Sequence, residues 1–160
     1  MKSQPKHEIE TISKALKIIF LITMIATITA MFFSIRDLTT ISIHDASFSE
    51  EIGRNIKYVF YFVIQIFAFL TFSSIAENNT PFLPTTSRNI KIIGGLIMFS
   101  SPIAKWVPGI VLMINNSSNV TVTIVDSEII FAILLGLVVA CIGAIFDYGC
   151  ILQKQDDETL

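Results

Sequence analysis

The sequence predicts an all-α integral membrane protein: a four-helix transmembrane bundle in one domain, 1–160, with both termini cytoplasmic. Three observations carry that reading. Hydrophobic residues make up 52% of the 160 and charged residues only 15%, against about 25% charged in an ordinary soluble domain. Mean hydropathy is +0.70. The apolar residues fall in four blocks, each near the roughly 20 helical residues that cross a hydrocarbon core of about 30 Å. A soluble four-helix bundle would carry a polar stripe on each helix, and these blocks do not. The lipid bilayer is therefore the first expected partner.

Spans are expected at about 17–35, 58–76, 92–114 and 128–149. The first lies between Lys17 and Arg36 without an internal charge. Ser34-Ile35-Arg36-Asp37 follows it with no small-residue cleavage pattern, so the run is expected to be retained as a span. Residues 37–57 then make a loop. In it Ser47-Phe48-Ser49-Glu50 fits a capping box, which would start the second helix near Phe48. Tyr58 and Tyr61 fall where an interfacial aromatic belt belongs. Gln65 stands in the middle of the second block, where its amide is expected to bond to Thr23 or Thr27 of the first helix.

The third span is irregular. Gly94-Gly95, Pro102 and Pro108 make it kinkable, and it carries Lys105. An intramembrane lysine is costly and is a functional candidate by default. At 1.5 Å per residue it lies roughly 20 Å from the inner boundary, leaving about 10 Å to the outer one. A lysine stem can cover most of that by snorkelling, beside the interfacial Trp106, and this is the leading expectation. Pairing with Asp126 or Glu128 is the second reading, and a transport or ligand site the third.

After a polar turn at 115–118, residues 120–125 alternate β-branched side chains and suggest a short extended piece. Asp126 or Ser127 would then cap the fourth helix. That block, 129–146, holds neither charge nor hydroxyl. Within it Gly136, Ala140 and Ala144 recur every four residues, with Gly143 beside them. Such a stripe lets another helix approach closely. Packing inside the chain is the first reading; a homodimer seam through Gly136, Ala140 and Ala144 is the alternative.

Orientation follows the basic residues. With four spans the termini share a side, which carries seven lysines and arginines in its arm, middle loop and tail, against three on the other side, Lys105 uncounted. The positive-inside rule places the termini in the cytoplasm and the protein, multi-pass, in the cell membrane. Asp147 is then a boundary residue at the depth of Arg88 and Lys91, and a pair with one of them is expected.

Several functional classes find no support. A net charge of -2 offers no basic field, so no direct nucleic-acid contact is expected. Cys141 and Cys150 are too far apart along a helix for a disulfide, and no cysteine–histidine spacing suggests a metal. No nucleophile has a base at recognisable spacing and no glycine-rich phosphate loop occurs. Glu50-Glu51 and Asp156-Asp157 read as solvated pairs. No catalytic, cofactor-binding or metal residue is assigned, and no enzyme is expected.

Two stretches on the termini's side carry a resemblance. One runs Glu77-Asn78-Asn79-Thr80-Pro81-Phe82 and on through Arg88-Asn89-Ile90-Lys91 to Gly94. The other runs Phe146-Asp147-Tyr148-Gly149-Cys150-Ile151-Leu152-Gln153 and closes Asp157-Glu158-Thr159-Leu160. Their order and endpoint resemble the small bacterial four-span membrane proteins grouped as domain-of-unknown-function family 2975, over the whole chain. Gln155 and Glu158 depart from the family pattern, which often has a glutamate and an apolar residue there. The resemblance implies a protein without known biochemistry whose gene often neighbours an Xre-type helix-turn-helix regulator. It implies a docking surface at Pro81, Phe82, Arg88, Lys91, Phe146, Asp147, Gly149 and Leu152, where that regulator is held or antagonised. The competing expectation is an immunity protein against a membrane-active peptide, or a small transporter subunit, working through Lys105 and the outer loops.

Overall fold

The structure, a computed structural model, describes residues 4–41, 46–115 and 125–159. Four helices account for nearly all of them: α1 (Gln4–Thr40), α2 (Ala46–Asn78), α3 (Pro84–Asn115) and α4 (Ser127–Thr159). All four are long and apolar enough to cross a membrane. Each exceeds its apolar block, because hydropathy marks only the stretch that lipid covers. α1 begins well before Lys17, and its polar first turns carry an i,i+4 pair, Lys14 to Glu10 at 2.5 Å. α2 starts two residues ahead of Phe48, so Ser47 lies inside the helix rather than capping it. α4 runs through Gly149 to Thr159, where the expected span stopped. The extended piece expected at 120–125 lies outside the described residues apart from Val125.

Local chemistry sets the breaks. α2 ends before Asn79, whose φ of 53° is the left-handed conformation favoured after a helix C-terminus. Phe82 N–H donates to Thr80 Oγ1 at 3.3 Å, and Leu83 N–H to Pro81 O at 3.1 Å, closing a tight turn. α3 then opens on Pro84, whose missing N–H costs nothing at a first helical position. Pro102 and Pro108 sit inside α3 without interrupting it. The carbonyl that Pro108 leaves without a helical donor belongs to Ala104, and it faces Gly53 of α2. A Cβ at Gly53 would lie 2.7 Å from that oxygen, so only glycine allows this approach.

The helices pack in chain order, α1 on α2, α2 on α3 and α3 on α4. Among the described residues no close backbone approach joins α1 to α4, so the expected bundle stays open between them, as a row, while the Lys57–Glu128 ion pair links α2 to α4. Its hairpins put Gln4 and Thr159, with the α2–α3 turn, at one end, here the terminal end, and Ile41 and Val125 at the other, the loop end. The row curves enough for Phe20 of α1 and Phe146 of α4 to flank one apolar groove of about 380 Å³ over α2 and α3.

The burial pattern inverts that of a soluble fold. Most buried positions are small or hydroxyl-bearing, including Ala68, Ala104, Ala132, Thr71, Thr86, Ser87, Ser100 and Ser101, with Ile75, Ile129, Glu51 and Asn89 the larger ones. Large apolar side chains such as Ile25, Phe32, Phe131 and Leu134 are exposed. Water would penalise that surface heavily, whereas lipid solvates it, and small residues let lipid-embedded helices approach closely. An open row needs no closure when lipid covers the outer faces.

Candidate functional site

Polar contacts gather in two layers. At the loop end α4 begins with Asp126 as its cap: Oδ1 accepts from Ile129 N–H at 3.0 Å, and Asp126 O from Ile130 N–H at 3.0 Å. The other carboxylate oxygen takes Lys105 of α3. Lys105 also meets Glu128 Oε2 at 2.9 Å, while Glu128 Oε1 accepts from Lys57 of α2 at 2.5 Å and from Ser101 at 2.9 Å. Two cations and two acids thus join three helices, with both acids at a helix N-terminus whose dipole favours them. Pairing, the second of the three expectations for Lys105, is what the structure adopts. Depth along one helix allows either snorkelling or pairing; the packing of α3 on α4 brings Asp126 and Glu128 to Lys105 and decides for the pair.

Alongside lies a second cluster that the sequence reading missed. Glu51, read as solvated, is buried. It accepts from Ser34 Oγ of α1 at 3.1 Å and from Arg54 Nε at 3.1 Å, and Arg54 Nη2 completes a two-pronged pair. Asn55 Nδ2 donates to Ser34 Oγ and to Glu51 O, both at 2.9 Å. The i,i+3 spacing of Glu51 and Arg54 was legible; the serine seventeen residues earlier was not.

The terminal end holds the other layer. Asp147 pairs with Lys91 rather than Arg88, and Ser87 Oγ lies within bonding distance of Asp147 Oδ1 and, at 2.8 Å, of Gly143 O. Phe82 rests on Phe146, ring centroids 5.8 Å apart, and over Gly149, where a Cβ would meet its ring at 2.5 Å. Pro81 is half-buried in the same turn; Arg88 and Leu152 are exposed. Of the expected docking set, then, Phe82, Lys91, Phe146, Asp147 and Gly149 are drawn together. Between the layers Gln65 Nε2 donates to Thr27 Oγ1 at 3.0 Å, whereas Thr23 is turned to its own helix. Lys17 Nζ sits 5.2 Å from the Phe69 ring centre.

Glu128 and Asp147 are nineteen residues apart on α4, about 29 Å at the helical rise, which matches a hydrocarbon core of about 30 Å. The layers therefore bracket the lipid-covered slab.

The small-residue stripe is partly occupied. A Cβ on Gly136 would lie 2.5 Å from Gly94 O, and one on Gly94 would lie 2.7 Å from Ala140 N. α3 holds the face of Gly136 and Ala140, so a homodimer seam through both would have to displace α3. Ala144 is exposed.

Two measurements check these contacts. Asp147→Asn is expected to lower the melting temperature in detergent by a small, measurable amount, because the ion pair is solvent-exposed but the serine contact weakens with it. An unchanged melting temperature would refute the pairing. Lys105 and the Ile129 N–H hold the Asp126 carboxyl below the ordinary carboxylate range. A depressed value means stability present above the unfolded value and lost as pH falls through the folded one. The melting-temperature gap between the native protein and Asp126→Asn should thus narrow below about pH 4; a constant gap would refute the linkage.

No family model, curated protein or solved structure matches the chain. The class is defined by the structure itself: an all-helical chain with four helices fit to cross a membrane, hence a multi-pass membrane protein. Among the described residues no group of three or more histidines, cysteines, aspartates or glutamates is arranged to hold a metal ion.

Proposed function

We propose that the chain is a small regulatory protein of the bacterial cell membrane, akin to domain-of-unknown-function family 2975. Both termini face the cytoplasm, where the terminal end docks or antagonises a helix-turn-helix transcription factor. One observation carries the reading: past Asp147 α4 remains helical and exposes Tyr148, Ile151 and Leu152. Their i,i+3,i+4 spacing is the form in which a helix offers an apolar face to a partner. They lie just past the charged layer, at the edge of the span, where a partner from the aqueous side can reach them. Phe82, seated on Phe146 and Gly149, fixes the neighbouring α2–α3 turn as the other side of the surface.

The test is co-purification of an Xre-type helix-turn-helix regulator, the kind of partner the resemblance implies. The intact chain should retain it; a chain ending at Gly149, or Ile151→Glu combined with Leu152→Glu, should not. Equal recovery, or none with the intact chain, would refute docking. The second reading, an immunity protein or transporter subunit, is favoured by the cavity beside Lys105 at the loop end. It requires that Lys105 substitutions alter peptide sensitivity or flux while the tail is dispensable.

A further inference from the structure

Next to the loop-end ion pairs a cavity of about 760 Å³ opens between α2 and α3. Its wall carries Arg54, Lys57 and Lys105, with Tyr58 and Tyr61 on the same side. Two of the acids that pair with these cations, Glu51 and Glu128, are not in the wall. They hold the cations from behind and leave donors in front. Arg54 engages Glu51 through Nε and Nη2, so its Nη1 protons are uncommitted. Lys57 Nζ has one acid partner and Lys105 Nζ two, out of three protons each. Among the described residues these remaining N–H groups have no acceptor. Both lysine side chains keep about a quarter of their surface exposed, at 27% and 28%.

Convergent guanidinium and ammonium donors on a preorganised frame are the chemistry that recognises a phosphate oxyanion. Asp126 and the exposed Glu50 are also in the wall, and Glu51, Asp126 and Glu128 balance the three cations, so recognition rests on the remaining N–H donors rather than on net positive charge. The depth selects the source. The cavity lies at the start of α4, about 29 Å from the opposite charged layer, which is headgroup depth. Tyrosines are characteristic of that zone. Toward the bilayer centre the wall continues through Tyr58 and Tyr61, whose rings suit the glycerol, while Pro108 and Leu112 lie on its loop side. We propose that this cavity binds the phosphodiester of a membrane phospholipid at the loop-end leaflet, through Arg54, Lys57 and Lys105. The site does not depend on the docking surface at the terminal end.

Thermal unfolding in a non-ionic detergent tests it, with phosphatidylglycerol, the diacylglycerol of the same chains, or inorganic phosphate added. Phosphatidylglycerol at ten times its Kd should raise the melting temperature by about 4 °C. Diacylglycerol and inorganic phosphate should not match that shift. Ser49→Trp adds bulk to the cavity wall at a residue outside the ion pairs, and should remove the shift while leaving the lipid-free melting temperature unchanged. A native protein that does not respond to phosphatidylglycerol would overturn the site, whatever the variant does. So would an equal response to diacylglycerol, or a shift retained in a folded Ser49→Trp. An equal response to inorganic phosphate would overturn the lipid assignment.

Discussion

Gly94→Ala is expected to destabilise the protein by about 2 kcal/mol, while the same change one residue on, Gly95→Ala, is neutral or slightly stabilising. At Gly94 the new methyl would stand 2.7 Å from both Ala140 N and Gly136 O. Those are backbone atoms, so no side chain can turn aside, and α3 and α4 must separate along their whole contact. At Gly95 nothing lies within 4 Å of the added carbon, and the gain in helix propensity is unopposed. Thermal unfolding of the two variants in one detergent should separate them by about 6 °C for a chain of this size. Gly136→Ala should resemble Gly94→Ala, because its methyl meets Gly94 O at 2.5 Å. Equal melting temperatures for the Gly94 and Gly95 variants would refute the α3–α4 contact.

Lys105→Met should cost about 2 kcal/mol, below the range for a fully buried pair because the partners keep water access. Lys105 is 28% exposed, Asp126 30% and Glu128 46%. The methionine keeps the stem's apolar contacts but removes the cation that the two acids share. Asp126 and Glu128 then stand two residues apart at the start of α4 with Lys57 alone to offset them. Lys105→Arg should restore most of the loss. In a double-mutant cycle with Glu128→Gln, a coupling of about 1 kcal/mol is expected. Additive effects would show that Lys105 is held by depth alone, as snorkelling predicts.

Some of these contacts were legible beforehand. Gln65 and Thr27 could be matched because they are polar side chains at similar depth in otherwise apolar blocks, where the choice of partner is small. Asp147 was assigned to Lys91 or Arg88 for the same reason. The docking residues Phe82, Phe146 and Gly149 were grouped by resemblance, and their contact is a fact of packing. Glu51 was misread because an exposed acid and a buried one look alike in a loop, and its partner Ser34 belongs to another helix. The lengths of α1 and α4 escaped as well. Their polar extensions are helical through local bonds and propensity, which a hydropathy profile does not register.

What the sequence determined alone is that four segments belong in a membrane. Transfer to lipid is close to a sum over residues, so a block of eighteen apolar side chains needs no partner to be recognised. What only the tertiary structure decided is which face of each helix meets its neighbour, and so which acid neutralises Lys105. Gly94 and Gly95 are identical in chemistry and adjacent in the chain, yet one seats α4 and the other has open space. Successive residues point about 100° apart around a helix, and only the position of the next helix gives that angle a meaning.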